Sequence, residues 1–465
     1  MSAFSNFAMA FSVICILAGG ITSLPLGLSS VGGAAIGFGW PFSCFFSVCV
    51  ALAMGQVASA FPTAGGLYHW AAILGGKAWG WLTAWFNLAG LITVLSAINV
   101  GVYLFAVGAL DAYGVKPDPL VQTLVVLAIT FSQALLNHLG IRITSFLIDC
   151  SGYLILAVTV LLVGSLLYYA PSHDVMRLFT FTNYSGPAGG GVWPASSNLA
   201  YVFFLGLLLP AYTITGFDAS AHTAEETMGA SVAVPKAIVF AVISSSFFAW
   251  IMLAAIVMAI PDMPTGVAKG FTVFFYTLNS VLPHWVAMLL YLGIVVAQYL
   301  CGLATITSSS RMVYAFARDG GLPLSSKLRQ VSPRYLTPVH AIWTVALLSV
   351  GFAVYTPVYS TITVVCTIFL YISYVMPIAL GLWAYQRSWT KMGPWDIGAW
   401  FRVVAALAVL GCCGLVYIGV QPPNELALKI IIGSLTVTAV IWFGHERYRF
   451  QGPPVLGNKP PDERA

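Results

Sequence analysis

The stretch TITGFDASAHTAEET (213–227) places polar and charged side chains directly after a hydrophobic run. The run LAYVFFLGLLLPAY (199–212) precedes it without a loop, although only 7% of the 465 residues are Asp, Glu, Lys or Arg. Gly216 stands where a helix through this run would continue, and glycine accepts backbone conformations that end a helix. The stretch therefore predicts a helix that is interrupted in hydrophobic surroundings.

The composition of the whole chain is that of a membrane protein. Hydrophobic residues make up 59% of it, whereas soluble proteins contain roughly 25% charged residues. A helix that crosses a bilayer needs about 20 apolar residues, and such stretches recur along the chain. We predict an all-α membrane protein with a single domain over 1–465, surrounded by lipid and without a nucleic-acid partner. The predicted spans, numbered 1 to 12, lie at about 7–31, 38–60, 79–108, 120–138, 142–169, 198–222, 236–260, 284–316, 338–356, 358–386, 399–420 and 426–444.

The distribution of positive charge predicts the orientation of the spans. Cytoplasmic loops of membrane proteins are enriched in Lys and Arg. With the N-terminus inside, 15 of the 19 Lys and Arg residues lie on the inner side and four on the outer side. We therefore expect a multi-pass protein of the cell membrane with both termini in the cytoplasm.

Two of the predicted spans carry helix-breaking residues near their middle. Span 1 reads FAMAFSVICILAGGITSLPLGL (7–28), which includes Gly19, Gly20 and Pro25, and span 6 contains Gly216. Paired interruptions in corresponding halves are typical of inverted-repeat transporters that bind substrate near the membrane midplane. Because Gly and Pro are common in membrane helices generally, the pairing carries more weight than either interruption alone.

Four segments, in order along the chain, carry a family resemblance: SNFAMAFSVICILAGG (5–20), FPTAGGLYHWAAILGGKAWGWLTAWFN (61–87), GFDASAHTAEET (216–227) and SSSRMVYAFARDGGLP (308–323). They resemble the first span, the loop between spans 2 and 3, the sixth span, and the eighth span with its following loop in the amino acid–polyamine–organocation superfamily. The resemblance is closest to the amino acid/choline/GABA permease branch of that superfamily.

The resemblance implies a leucine-transporter-like fold of 12 transmembrane helices, with two inverted repeats of five helices, helices 1 and 6 broken, and two extra helices. On this chain the repeats fall at about 7–169 and 198–386, the extra helices at about 399–444, and a short cytoplasmic tail at 445–465. The implied activity is secondary transport of an amino acid or related amine by alternating access. GABA, choline, neutral or cationic amino acids and polyamines remain open as substrates.

The interruptions predict where a substrate binds. A broken helix leaves backbone N–H and C=O groups without partners, and in a membrane these persist only where protein, water or ligand satisfies them. N–H groups near Gly19 and Gly20 suit a carboxylate, and carbonyls near Thr213 to Thr215 suit an ammonium group. In relatives an aromatic residue at the Phe217 position closes over the substrate; packing in the protein or contact with lipid are its alternatives. The predicted substrate-binding residues are Ala18, Gly19, Gly20, Ile21, Thr22, Thr213, Ile214, Thr215, Gly216 and Phe217.

Titratable residues in the spans are candidates for coupling and gating. Asp218, His222 and Glu225 are spaced i, i+4, i+7 and share one face if that segment is helical, and an acid inside a span usually faces a cavity or a partner. His222 either titrates, since its unperturbed pKa is about 6.5, or is a satisfied hydrogen-bonding residue. Asp149 lies seven residues after Arg142, so it either pairs with that side chain or carries protons.

Span 8 contributes hydroxyl groups. Thr305, Thr307 and Ser308 lie where sodium-coupled relatives of the fold hold Na⁺, although hydroxyls also bond between membrane helices. Some relatives carry a Lys or His inside span 5 in place of sodium, and Ile155 stands there in this chain. Proton coupling is predicted because Asp149 and Asp218 lie inside spans and because members of the family it resembles are commonly proton-coupled. Sodium coupling or exchange are the alternatives.

Charged residues cluster at the inner ends of spans 6 and 8. Glu225 and Glu226 are expected to cap the inner end of span 6 beside Lys236 and Arg311. At the inner end of span 8, Arg311, Arg318 and Asp319 look like positive-inside anchors and an inner-gate ion pair. The loop segment 61–76 predicts a short amphipathic helix at the inner face, with Tyr68 and Trp70 at the membrane interface.

Other classes of function are less consistent with the sequence. It contains no HExxH or GxSxG motif, so no enzyme activity, cofactor or metal site is expected. The eight cysteines form no CxxC pair and are interpreted as small apolar residues. A channel would need polar stripes along a pore. A sensor with a transporter fold, which binds substrate without moving it, remains an alternative, and the oligomeric state is open.

Overall fold

The computed structural model describes residues 1–356 and 359–453. Within these ranges, ten helices are long and apolar enough to cross a membrane, and two shorter apolar helices, Leu199–Thr213 and Val339–Tyr355, accompany them. These helices correspond one to one with the predicted spans. The all-helical, multi-span fold class is therefore confirmed, while the division into two repeats stays a prediction.

The bounds of the spans differ from the predicted ones by a few residues in most cases. Spans 1 to 6 are Ala3–Ile14 with Ile16–Val31, Ala35–Ala60, Lys77–Ala109, Pro119–His138, Ile141–Tyr169, and Leu199–Gly206 with Leu208–Thr213 and Ala219–His222. Spans 7 to 12 are Ala230–Ala259, His284–Arg318, Val339–Tyr355, Tyr359–Ala384, Trp400–Gly419 and Glu425–Arg449. Short helices outside the spans are Leu67–Gly75, Met263–Ala268, Val273–Val281 and Ser325–Leu328.

The spans divide into a central and a peripheral set. In span 1, 89% of the most apolar stretch is buried inside the protein, whereas the corresponding share is 33% in span 11 and 17% in span 12. Span 1 packs against spans 6, 7 and 8, and span 10 packs against span 3. The two broken helices therefore lie at the centre of the bundle, and the two extra helices lie at its edge.

Span 7 begins six residues before its predicted start, because the protein compensates for a proline in its first turns. Pro235 has no N–H to donate to the carbonyl of Ser231, four residues earlier. The Ser59 hydroxyl of span 2 donates to that carbonyl at 2.7 Å instead.

Span 12 continues past its predicted end at residue 444 to Arg449, so the predicted tail starts later. Residues 454–465 of that tail lie outside the described part of the chain.

The predicted loop helix is present as Leu67–Gly75, but its aromatic residues do not lie at the membrane interface. Tyr68 and Trp70 are fully buried in protein. The Trp70 indole donates to the Phe61 carbonyl at 2.8 Å, and Tyr68 donates to Asp319. The helix is therefore part of the bundle rather than a surface element, and the interfacial prediction is wrong for these two residues.

Candidate functional site

Span 1 is interrupted at Cys15. This residue has φ 35° and ψ 82°, a left-handed conformation that is uncommon for residues other than glycine, and the helix restarts at Ile16. The first N–H groups of the restarted helix have no preceding turn to bond to. The prediction that free N–H groups lie near Gly19 and Gly20 is wrong by one turn, because the Gly19 N–H already donates to the Cys15 carbonyl at 3.0 Å.

Span 8 supports this break through sulfur contacts. The Cys15 thiol lies 3.8 Å from the Ala297 carbonyl, and the Cys301 thiol lies 3.4 Å from the Val13 carbonyl. Cys301 therefore contacts a carbonyl that the break leaves without a helical partner. The interpretation of the cysteines as ordinary small apolar residues is incomplete for this pair.

The predicted substrate-binding residues of span 1, 18–22, form the first turns after the break. A Cβ atom added to Gly19 would lie 2.9 Å from the Cα atom of Thr213, so glycine is required there for close packing against span 6. Thr22 accepts a hydrogen bond from the Tyr359 hydroxyl at 2.8 Å. Both ends of this segment therefore contact other spans of the central set.

The break in span 6 lies where the sequence predicts it. The helix ends at Thr213, Gly216 has φ +83°, and a single helical turn follows. The Gly216 N–H donates to the Tyr374 hydroxyl at 2.9 Å, and the Ile214 carbonyl accepts from the Tyr371 hydroxyl at 3.4 Å. Two tyrosines of span 10 thus satisfy backbone groups that the break exposes.

Phe217 and Thr215 complete the broken segment. Phe217 is fully buried, and its ring centroid lies 4.9 Å from that of Tyr374. The Thr215 hydroxyl donates to the Tyr212 carbonyl at 2.8 Å. Phe217 therefore does not face lipid, and its closure over a substrate stays a prediction.

The breaks of spans 1 and 6 fit against each other, which makes Gly216 sensitive to substitution. In Gly216→Ala the new Cβ would lie 2.4 Å from Cγ1 of Val13, and the left-handed backbone adds about 1–2 kcal/mol of strain. We expect a lower thermal-unfolding midpoint and a several-fold slower initial rate of uptake. Gly164→Ala is the matched control, because Gly164 is exposed in span 5 with nothing within 4 Å of the added atom. Equal effects of the two variants would contradict the prediction.

Asp218 lies directly after the break and is fully buried. Its Oδ1 atom accepts from the Tyr374 hydroxyl at 2.8 Å, and its Oδ2 atom accepts from the Asn87 amide at 2.8 Å. The His222 Nε2 atom lies 3.2 Å from Oδ2. Asn87 and Tyr374 are not among the site residues predicted from the sequence, where the available signal is that a polar Asn inside an apolar span needs partners.

The face predicted to carry Asp218, His222 and Glu225 ends at His222. The helical turn also ends there, and Glu225 instead pairs with Arg318 at 3.1 Å. His222 is buried, and its Nδ1 atom has no partner among the residues of the structure's described ranges. The buried Asp218–His222 pair is thus separate from the charges at the end of the bundle.

Asp149 does not pair with Arg142. Its Oδ2 atom accepts from the Ser5 hydroxyl of span 1 at 3.1 Å, and Arg142 is exposed. The Asp149 Oδ1 atom is buried without a partner in the described part of the chain. Of the two alternatives for Asp149, the ion pair is therefore wrong, and the proton-carrying role stays a prediction.

The hydroxyls of span 8 do not converge on one point. Thr307 donates to the Asn137 side chain of span 4 at 2.7 Å, whereas Thr305 donates to the carbonyl of Cys301 in its own helix at 2.9 Å. The Ser308 hydroxyl is buried and has no partner within the described ranges. Thr307 thus belongs to a contact between spans 4 and 8.

We call the end of the bundle that carries the N-terminus the inner end, and an ion-pair cluster around Asp319 closes it. Asp319 is buried and lies 2.8 Å from His69 Nε2 and 3.6 Å from Arg318 Nε, and Tyr68 donates to it. Burial and the neighbouring Asp319 carboxylate raise the pKa of the Tyr68 phenol well above its usual range, so the hydroxyl stays a donor. Arg318 also pairs with Glu225.

Two further contacts join spans at the inner end. Arg311 pairs with Glu226 at 3.2 Å, as its position in the sequence suggests. The Asn6 amide donates at 3.0 Å to the Ser220 carbonyl and to the Thr223 hydroxyl. The second contact joins the first half of span 1 to span 6 on the inner side of its break, and it is not among the contacts predicted from the sequence.

A cavity of about 510 Å³ opens at the opposite, outer end. Aromatic rings of Phe105, Phe271, Phe274 and Phe275 line it, together with Ile21, Thr22 and Tyr359. An exposed ion pair, Asp111 with Lys116 at 2.6 Å, stands among its lining residues. The cavity therefore leads from the outer end to the Thr22–Tyr359 hydrogen bond.

Comparison with known proteins places this geometry in a family context. Residues 1–444 match the family model described as "Amino acid permease". The chain is 32% identical to the amino-acid permease BAT1 of Arabidopsis thaliana, over 97% of this chain and 93% of that protein. It is 32% identical to the BAT1 homolog of Oryza sativa subsp. japonica, over 97% and 92% of the two chains. An uncharacterized amino-acid permease of Schizosaccharomyces pombe is 26% identical over 100% of this chain and 84% of its own length.

Proposed function

This chain belongs to the amino acid permease family, and from that membership we propose that it is a proton-coupled secondary transporter. Its substrate is a neutral amino acid or a related amine such as GABA, which it moves across the cell membrane by alternating access with both termini in the cytoplasm. A strongly cationic substrate is disfavoured, because Asp111, the acid among the described lining residues of the outer cavity, is already paired with Lys116.

One observation carries the proposal of proton coupling. The Tyr374 hydroxyl donates to Asp218 and accepts the N–H of Gly216 in the break. If Asp218 takes up a proton on Oδ1, that oxygen becomes a donor toward Tyr374 instead of an acceptor, and the bonding of the Tyr374 hydroxyl to the break then changes. A proton on this buried acid is thus linked physically to the backbone of the predicted substrate site.

The two ends of the bundle support alternating access. The outer cavity reaches Thr22, two turns beyond the break in span 1, while the Asp319 cluster and the Arg311–Glu226 pair hold the inner end together. Transport requires these inner contacts to separate and the outer cavity to close. The arrangement is that of a carrier open to the outer side.

Uptake into proteoliposomes tests the proposal. Labelled neutral amino acids, GABA, choline and putrescine are offered with an inward proton gradient, an inward sodium gradient or neither. We expect proton-driven accumulation, up to about tenfold per pH unit for one proton per substrate. Accumulation only with sodium would refute proton coupling and direct attention to Ser308, gradient-independent exchange would identify an exchanger, and saturable binding without movement would identify a sensor.

A further inference from the structure

A groove of about 390 Å³ runs between span 3 and span 12, away from the proposed transport pathway. Its lining is apolar and includes four aromatic side chains, namely Trp79, Trp81, Trp442 and Phe443. A second cavity between the same spans, lined in part by Trp85, shares Thr438 with it. The groove lies within the size range of about 300–1,000 Å³ that is typical of sites for small molecules.

The aromatic lining contains polar groups without partners. Trp81 is 1% exposed, and its indole N–H has no hydrogen-bond partner in the described part of the chain, nor does the indole N–H of Trp85. A buried unpaired donor is costly, and tryptophans at this level of a membrane usually bond to lipid head groups or water. Span 12 also changes to a π-helix over Trp442–Glu446, next to the groove, and such segments are frequent at functional sites.

The inner end of the groove is positively charged. The Lys77 ammonium lies 3.1 Å from the Arg447 carbonyl, and neither side chain has a carboxylate partner within the described ranges. The nearby Arg449 differs, because it is paired with Glu446. Span 3 begins at Lys77 without a side-chain cap, so its first N–H groups are also free to bind an anion.

We propose that this groove binds an anionic phospholipid, with an acyl chain along spans 3 and 12 and the phosphate at Lys77 and Arg447. Charge complementarity selects the ligand, because an apolar slot that ends in two unpaired cations and a free helix N-terminus fits an anionic amphiphile. Basic pockets between membrane helices bind anionic head groups on this principle. The indole N–H of Trp81, one turn from Lys77, would donate to the head group or the ester carbonyls.

The test measures quenching of tryptophan fluorescence by brominated lipids. The full-length protein is placed in nanodiscs of phosphatidylcholine that contain a small fraction of brominated phosphatidylglycerol or, separately, brominated phosphatidylcholine. We expect stronger quenching by the phosphatidylglycerol probe. Since one Lys or Arg near the surface is worth about fivefold in affinity, Lys77→Gln with Arg447→Gln should lower the preference roughly 25-fold.

Matched variants keep the test decisive. Lys327→Gln with Arg329→Gln removes the same charge from exposed positions at the same end and should leave the preference unchanged, while Lys77→Arg with Arg447→Lys should retain it. Trp81→Phe keeps an aromatic ring and should lose most of the headgroup-dependent quenching. Equal quenching by both probes, or equal loss in the control pair, would overturn the proposal. So would a dimer that is broken by Trp442→Ala and shows no lipid preference.

Discussion

Asp218→Asn is expected to abolish proton-driven accumulation while substrate exchange continues. Asparagine has the shape of the buried carboxylate and keeps one oxygen for Tyr374, but it has no titratable proton. A carrier coupled to one proton can accumulate substrate about tenfold per pH unit, and the variant should only equilibrate it. The measurement is the ratio of inside to outside substrate in proteoliposomes with and without a pH gradient, together with exchange across membranes without a gradient.

Two companion variants make this result interpretable. Asp149→Asn changes an acid inside span 5 that, unlike Asp218, has no basic partner within the described ranges, and should leave accumulation intact. Tyr374→Phe keeps the ring that packs on Phe217 but removes the hydroxyl that joins Asp218 to the break, so it should lower proton-driven accumulation while substrate exchange continues. If Asp149→Asn abolishes accumulation and Asp218→Asn does not, Asp149 is the carrier and the assignment to Asp218 is wrong.

The network around Asp218 illustrates what the sequence could not predict. Asp218 itself is visible as an acid after a hydrophobic run, but Asn87 and Tyr374 lie 131 and 156 residues away along the chain. Polar residues inside spans are numerous in this chain, and only packing decides which of them meet. The hydrogen-bond partners of a buried acid are therefore a property of the tertiary structure.

The break in span 6 could be predicted from the sequence, whereas the position of the break in span 1 could not. Gly216 could be predicted, because glycine is the residue that accepts φ +83° without strain. Gly19 was predicted to be a break residue on the same argument, yet it serves to bring span 1 close to Thr213. The actual break is at Cys15, where contacts with span 8 hold an unfavourable backbone conformation, and no local sequence signal indicates it.

Asp319→Ala is expected to open the inner end of the bundle. The substitution removes the shared partner of Tyr68, His69 and Arg318. Breaking a buried ion pair from one side costs about 3–5 kcal/mol. Because Arg318 is 33% exposed, we expect on the order of 2 kcal/mol after solvent screening. This cost is paid only while the inner end is closed, so the population shifts toward the inward-open form by a factor on the order of 30.

Two measurements follow that shift. A Ser308→Cys reporter is buried in span 8, farther from the inner end than the Asp319 cluster. It should react faster with a charged thiol reagent applied from the inner side when Asp319→Ala is present, after subtraction of the labelling of the native cysteines. The apparent KM for substrate added outside should rise, since the outward-open form is less populated. An unchanged labelling rate would show that the Asp319 cluster does not close the inner pathway.

Glu446→Ala separates gating from a general loss of stability. Glu446 is also nearly buried, at 5% exposure, and its ion pair is with Arg449 of the same span rather than with a residue of span 6 or span 8. Its loss should lower the unfolding midpoint as much as the Asp319 change does, because it also leaves an arginine without its carboxylate. The labelling rate of the Ser308→Cys reporter should nevertheless stay at the parent value, because no contact across the inner pathway has been removed. Faster labelling in both variants would mean that destabilisation alone admits the reagent, and the gate would have to be placed elsewhere.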